Sequence, residues 1–393
     1  MQNRYEVIVF TGSRSEYGLL SPIVDALHCD QIGLKIVVAG DHHEIERGYS
    51  RGEIEGAGIA VVDLPYSQNC TNNNKKIAYL IDRLDLLFEE TKPVLLVIYG
   101  DRYETFAAAI SAHQSNVKIL HLEGGDITEG GLQDDSVRHA ISKLATFHLT
   151  SNAESARNLI QMGEEPWRVK VLGLSTSSYI AEQNYSNEMT VNMKYELDER
   201  AIILFTIHPL PGSQADTDNL ARESIKALLS LDSSQYRIII TYPNSDPFGE
   251  RIIEAYRSVR KNNVSIFASL GRRDYHGILA LNLAKPGRVV CAGNSSSGIK
   301  EAGFFKCVAV NIGDRQKSRL KSGVVIDCPV DASTIETAIR QASEPTTAGF
   351  DLEGSTNPYQ SEIGSKDIRD LIINYANDQK SLVKRHLISE TQL

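Results

Sequence analysis

The chain has 393 residues, 41% of them hydrophobic and 23% charged, an ordinary globular mixture that excludes a disordered or fibrous chain. At about 150 residues per domain, this length predicts two domains or three. Fifty acidic against 41 basic side chains leave a net charge of −9, which disfavours nucleic acid and anionic membrane as partners, since both need a basic face.

The chain opens on a short strand, Tyr5–Phe10, and MQNRYEVIVFTGSR lacks the charged start and long apolar core of a secretory signal. An amphipathic helix over Tyr17–His28 follows, then strands at Leu34–Gly40 and Ile59–Leu64. The strand Pro93–Gly100 is apolar almost throughout, as expected of a strand covered on both faces. Helix Arg102–His113, strand Val117–Glu123, helix Ser136–Leu144 and strand Val169–Gly173 complete the first half. Residues 181–199 are polar and lack a strong period, and the hinge is placed within 174–200. The pattern then restarts with strands Ala201–His208, Arg237–Pro243, Val264–Ser269, Arg288–Gly293, Cys307–Ile312 and Gly323–Cys328. Helices such as Asn219–Leu229 and Asp331–Ala342 separate them, and Ser365–Leu382 reads as a long amphipathic helix.

Strand alternating with helix predicts an α/β protein with parallel sheets. The expectation is two Rossmann-like, doubly wound domains facing a cleft. Residues 1–180 form the first, 195–364 the second, and 365–393 a C-terminal helix that packs back across both. No run approaches the ~18 apolar residues of a membrane-spanning helix. Cys29, Cys70, Cys291, Cys307 and Cys328 are odd in number and show no CxxC spacing, which predicts free thiols in a reducing cytoplasm.

Ligands of doubly wound sheets bind at the carboxyl ends of the strands, so the residues just after each strand carry the functional information. Gly12 permits a tight turn and Arg14 opens a helix: an anion clamp, or a plain structural turn. Asp101 follows a strand and its glycine, and is either the cap of the next helix or a carboxylate aimed at a ligand. Residues 121–143, HLEGGDITEGGLQDDSVRHAISK, are the most informative. Glu123 follows a strand; Gly124, Gly125, Gly130 and Gly131 allow sharp turns or close approach. Asp126, Thr128, Glu129, Asp134, Asp135 and Ser136 precede Arg138 and His139, forming a solvated loop or a set of general acid and base groups. His208 ends a strand of the second half, as a structural histidine or a ligand contact. GNSSSGIKEAG (293–303) joins Ser295, Ser296, Ser297 and Gly298 at a helix start, where one serine would suffice as a cap, and predicts a phosphate cradle. Glu301 is placed to bind ribose hydroxyls. Arg315, Lys317, Arg319 and Lys321 form a local basic loop. Two decoys are set aside: Asp216 and Asp218 suit the first turn of a helix, and His42-His43-Glu44 lacks a third metal ligand at a telling spacing. No metal site is expected.

Read in order, GSRSEYGLL, GDRYE, HLEGGDITEG with DDSVRHAISK, the His-Pro strand end, GNSSSGIKEA and IGDRQKSR resemble the hydrolysing UDP-N-acetylglucosamine 2-epimerases, from about residue 7 to residue 330. The resemblance implies the glycosyltransferase-B arrangement, an active site in the interdomain cleft, and no metal or other cofactor. It implies release of UDP and a 2-epimerised sugar such as N-acetylmannosamine, feeding nonulosonic (sialic-type) acid synthesis. Close relatives take UDP-2,4-diacetamido-2,4,6-trideoxyglucose instead. Motif by motif, catalytic roles fall on Asp101, Glu123, Asp134 (with Asp135 the alternative) and His208. The phosphate serines fall on Ser295, Ser296 and Ser297, and the ribose carboxylate on Glu301. Arg14, Gly298 and Arg319 complete the expected nucleotide contacts. The chain departs from the family at Gly40-Asp41-His42-His43, at Ser318 and at Gly173-Leu174-Ser175. The implied partners are a nucleotide sugar, water and further copies of the chain.

Overall fold

Runs of β-branched residues become strands where both of their faces are covered. The computed structural model describes residues 4–43, 50–55, 58–128, 134–210, 212–244, 246–322, 324–345, 348–361, 363–378 and 383–385. In the first half these form β1 (Tyr5–Thr11), α1 (Arg14–Leu27), β2 (Ile32–Ala39), α2 (Arg51–Glu55), β3 (Ala60–Leu64), α3 (Asn73–Thr91), β4 (Leu95–Tyr99), α4 (Tyr103–Gln114), β5 (Lys118–Leu122), α5 (Asp134–Leu144), β6 (Phe147–Thr150), α6 (Ala153–Gln161) and β7 (Val169–Val171). The strands make one parallel sheet in the order β3-β2-β1-β4-β5-β6-β7. The second half comprises α7 (Ser177–Ala181), α8 (Glu188–Tyr195), β8 (Ala201–Thr206), α9 (Gln214–Ser230), β9 (Tyr236–Thr241), α10 (Gly249–Arg257), β10 (Val264–Phe267), α11 (Arg272–Ala284), β11 (Val289–Gly293), α12 (Ser296–Lys300), β12 (Ala309–Ile312), β13 (Val325–Cys328) and α13 (Ala332–Ser343), and α14 (Ser365–Asn377) follows. Its sheet is also parallel, in the order β10-β9-β8-β11-β12-β13.

The period of two along β1 explains the double cover. Val7 and Val9 join a core with Leu20, Ile23, Val24 and Leu27 of α1 and Ile368 and Ile372 of α14. Ile8 and Phe10 point to the other face, with Leu80, Leu84 and Phe88 of α3 and the alanines of α4. In the second sheet, Ile203 and Phe205 serve one core, and Ile202 and Leu204 the other.

The chain divides into two compact units, passing from the first to the second between Ser178 and Tyr179 and returning between Pro358 and Tyr359. Residues 359–364, expected with the second domain, therefore lie in the first unit. So does α14, whose Tyr375 stacks on Phe147 at 3.9 Å. The sequence reading did not name α3, α6, α10 or α11, nor β6 and α8. The four-residue β6 is too short to show a period, and α8 buries only Val191 and Tyr195. Among the described residues, no helix is long and apolar enough to cross a membrane.

Each sheet is wound outward from a pair of strands that are not consecutive, β1 with β4 and β8 with β11. At these switch points the following loops run to opposite sides, opening a crevice at the strand ends. The loop after β1 leads to Arg14 at the start of α1, and the loop after β4 carries Asp101. The loop after β8 carries His208, and the one after β11 leads through Ser295 to Ser296 and Ser297 at the start of α12.

Candidate functional site

In the first unit, Ser13 caps α1 and its Oγ accepts from the Glu16 N–H (3.4 Å). Glu16 folds back as in a capping box displaced by one residue: its carboxylate accepts the Gly12 N–H (2.8 Å) and the Thr105 hydroxyl (3.2 Å). The Gly12 N–H is therefore committed within the fold, as the structural-turn reading has it, and Arg14 at the first helical position carries what remains of the anion clamp. Glu16 is buried, and burial pushes its pKa up to about 7, against the Arg102 charge and with that of Glu104. Glu104 is fully buried and receives Arg102 through both carboxylate oxygens (2.9 and 3.1 Å). A Cβ on Gly12 would lie 3.0 Å from that of Glu104, so the turn packs directly on this pair. Neither glutamate was foreseen, although the Ser13-x-x-Glu16 spacing held the signal.

Asp101 does not cap α4. The cap position is Arg102, with no side-chain cap bond. Asp101 Oδ2 instead accepts from Nη2 of Arg138, a residue 2% exposed. Arg138 Nη1 donates to Asp135 Oδ1 (2.6 Å) and to the Asp126 carbonyl (2.7 Å). Burial works against the guanidinium's charge, but Asp101, Asp126 and Asp135 outweigh it and hold Arg138 above its usual pKa. Two aspartates, one from the loop after β4 and one from the first turn of α5, thus converge on one arginine. Asp134 opens α5, one residue before the aspartate that Arg138 binds. Glu123 leaves β5 in the left-handed region (φ 62°), a backbone state costing a non-glycine residue about 1 kcal/mol or more. Next to it, Gly125 (φ 80°) tolerates no side chain, since a Cβ would sit 2.2 Å from the Ser155 carbonyl. His121 is buried and ties the pieces together, with Nε2 on the Gly100 carbonyl (2.8 Å) and Nδ1 facing Ser142 Oγ (3.1 Å). Burial lowers its pKa to about 3, so it is a neutral brace. Glu129, Gly130 and Gly131 lie outside the described residues.

In the second unit, Asn294 clamps the two strand ends together. The His208 N–H donates to its Oδ1 (2.6 Å), and its Nδ2 donates to the His208 carbonyl (2.9 Å). His208 Nδ1 accepts the Asn244 N–H (3.0 Å), which leaves the ring proton on Nε2. Burial, aided by the charge of Arg315, pushes the His208 pKa down to about 3. His208 is therefore a neutral hydrogen-bond donor rather than a cation.

Ser295 is the cap of α12 and accepts from the Ser297 N–H (3.4 Å); the two hydroxyls bond at 3.0 Å, and Tyr275 donates to Ser297 Oγ (2.9 Å). Of the three serines, Ser296 alone has no hydroxyl partner among the described residues. A cavity of about 10 Å³ behind the turn has room for about one water. The Glu301 carboxylate is held at 2.6 Å by Nε2 of buried His276, a partner the sequence did not indicate. In the basic loop, Arg315 (3.4 Å) and Gln316 (3.0 Å) reach the Asn294 carbonyl, and Arg319 holds Gln316 (2.7 Å). Lys321 turns away to Asp327 (2.7 and 2.8 Å). The decoys are also accounted for: Asp218 binds Arg251 (2.6 and 2.8 Å), and both nitrogens of buried His42 are hydrogen-bonded, to Thr11 and Ser50. Among the described residues, no three His, Cys, Asp or Glu side chains are grouped as a metal would need.

The sequence profile of the family described as UDP-N-acetylglucosamine 2-epimerase matches residues 25–373. A UDP-N,N'-diacetylbacillosamine 2-epimerase (hydrolyzing) of Legionella pneumophila is 32% identical, over 86% of this chain and 88% of that protein. A GDP/UDP-N,N'-diacetylbacillosamine 2-epimerase (hydrolyzing) of Campylobacter jejuni is 30% identical, over 84% and 85%. The crystal structure of UDP-GlcNAc 2-epimerase from Neisseria meningitidis bound to UDP-GlcNAc superimposes with a TM-score of 0.75 at 16% identity, covering 94% of this chain and 98% of that one.

Proposed function

The chain belongs to the UDP-N-acetylglucosamine 2-epimerase family, and from that premise we propose that it is a hydrolysing 2-epimerase, converting a UDP-activated 2-acetamido sugar and water into UDP and the free 2-epimer. The observation that carries the reading is the convergence of Asp101 and Asp135 on Arg138, with Glu123 held in a left-handed turn at the end of β5. A nucleotide-binding protein without chemistry has no use for that many aimed carboxylates. With UDP-N-acetylglucosamine as substrate, the product is N-acetylmannosamine, for sialic-type acid synthesis. A second reading, UDP-N,N'-diacetylbacillosamine, draws support from the names of the two bacterial relatives, which also favour hydrolysis over simple epimerisation.

The chemistry follows from the sugar. The C2 hydrogen is not acidic until UDP begins to leave C1 and an oxocarbenium-like centre develops. The leaving diphosphate is assigned to the second unit, where Ser296, the α12 start, Arg319 and the Nε2–H of His208 can meet charge as it forms. A carboxylate then takes the C2 proton, a contribution of about 10²–10⁴ in rate. Asp101 is assigned this step. Water adds to the resulting glycal at C1, and C2 is reprotonated from the opposite face. Two faces require two groups, assigned to Glu123 and Asp134.

The test is incubation of each UDP sugar in deuterated water, with UDP release and the sugar followed by NMR. Free sugar carrying deuterium at C2 is expected. Asp101→Asn should release neither UDP nor glycal, whereas Asp134→Asn should release UDP and accumulate glycal. Full turnover by Asp101→Asn would remove it from the mechanism. Epimerised UDP sugar with no free sugar would replace hydrolysis by simple epimerisation. EDTA should leave turnover intact, since the positive groups named here are the chain's own.

A further inference from the structure

The densest buried charge not used above lies at the far end of α5. Glu164 has no exposed side-chain surface, yet it meets Lys143 (2.7 Å), His148 (3.2 Å) and Lys384 (2.6 Å). Lys384 lies beyond α14 and its side chain is 13% exposed. Its ammonium also donates to the carbonyls of Ser142 (3.1 Å), Lys143 (3.1 Å) and Ala145 (2.7 Å). These carbonyls lie at the C-terminal end of α5, where a helix leaves its last C=O groups without intrahelical donors. The neighbouring residues are anchored too: Arg168 binds the Val383 carbonyl (2.9 Å), and the Arg385 N–H reaches Glu165 (3.3 Å).

From this end of α5 a hydrogen-bonded path leads to the site. Ser142 Oγ meets His121, and His121 holds the Gly100 carbonyl, one residue before Asp101. Ser142 Oγ also donates to the Arg138 carbonyl (3.0 Å). The opposite end of α5 presents Asp134, Asp135 and Arg138. We propose that Lys384 is a positioning residue: by capping α5 and neutralising Glu164, it fixes the helix that sets Asp134 and Asp135 relative to Asp101. The proposal rests on the reading that these carboxylates act on the sugar.

Lys118 supplies the control. It caps α14 in the same way, donating to the carbonyls of Tyr375 (2.9 Å), Ala376 (2.7 Å) and Asp378 (2.9 Å), but that helix carries no site residue. Lys384→Met, Lys384→Arg and Lys118→Met are compared in the full chain. Both Met variants should melt earlier. Lys384→Met should lose about tenfold or more in kcat, since a displacement of about 1 Å at a reacting centre can cost about a hundredfold, while UDP affinity stays unchanged. Lys384→Arg should recover most of that loss, and Lys118→Met should keep its kcat. Equal kcat losses in the two Met variants would reduce Lys384 to a structural residue and overturn the proposal.

Amide hydrogen exchange gives a readout independent of turnover. Exchange in α5 should quicken in Lys384→Met and not in Lys118→Met, and an unchanged rate would also overturn the proposal. If Asp101→Asn proved fully active, the reading of the carboxylates would fall, while exchange in α5 would still decide whether Lys384 holds the helix. Where Lys384→Met is recovered unfolded, Lys384→Gln, which keeps a donor, takes its place.

Discussion

At the scale of single residues, Glu16 makes the sharpest case. Its folded pKa, raised to about 7 mainly by burial, exceeds the usual carboxylate value of 4.5. Between those pH values the folded unit keeps a proton that the unfolded chain has released. The stability this contributes is fully present below about pH 4.5 and is lost as pH rises through 7. Glu16→Gln stays neutral and can still accept the Gly12 N–H. It should therefore be more stable than the parent by about 3 kcal/mol at pH 8, and nearly equal at pH 4.5. Urea denaturation at the two pH values checks this, and an equal difference at both would refute it. Glu301 offers a second case, because His276 fixes its rotamer. Glu301→Ala should weaken UDP binding about tenfold to a hundredfold, the loss of one or two charge-assisted hydrogen bonds. His276→Ala should weaken it by a smaller factor, read by calorimetry. Full UDP affinity in Glu301→Ala would remove this carboxylate from the nucleotide site.

At the scale of elements, β8 and β11 meet so closely that a side chain cannot pass between their ends. Gly293 sits at φ 135°, and a Cβ there would lie 1.8 Å from the Thr206 carbonyl. Gly293→Ala should force the strands apart and unseat Asn294 and Ser295, with a stability loss of about 2 kcal/mol or more and loss of UDP binding. A variant that melts like the parent and binds UDP would show that the sheet yields there. The same strand ends explain how far the sequence could be read. Asp101, Glu123, His208 and the serines stood out because charged and small residues interrupt apolar strands where doubly wound sheets place ligands. The convergence on Arg138 was not legible: it joins residues 37 positions apart, and only packing decides that Asp101 bonds rather than caps. Glu16 with Thr105 and Glu301 with His276 are also pairs distant in sequence, 89 and 25 positions apart. The choice between Asp134 and Asp135 is likewise one of helix phase, which composition cannot supply.

At the scale of the molecule, buried titratable groups set the response to acid. In the first unit, His121 and His148 are fully buried and hold pKa values below their ordinary 6.5, through loss of water. On unfolding, both take up protons below pH 6.5, so their contribution is complete above that value and is lost as pH falls. Glu16 works in the opposite sense over pH 4.5–7 and offsets part of that uptake. The first unit should lose stability as pH falls from 6 to 5. In Glu16→Gln the slope should steepen, because the opposing group is gone. Denaturation profiles at pH 5, 5.5 and 6 test both slopes, and a flat profile in the parent would contradict the burial of the two histidines.

Because α14 seals the first unit after the whole second one has been threaded, synthesis leaves that unit open for a long interval. At about 5–20 residues per second, residues 179–358 need roughly 10–40 seconds to emerge. Through that time the seat of Ile368 and Ile372 beside Leu20 and Val24 is bare, and Phe147 lacks the ring of Tyr375. The nascent chain thus exposes apolar surface until its own later segment emerges. Chaperones that bind such surface should therefore raise the yield of folded protein, by the order in which its parts are made.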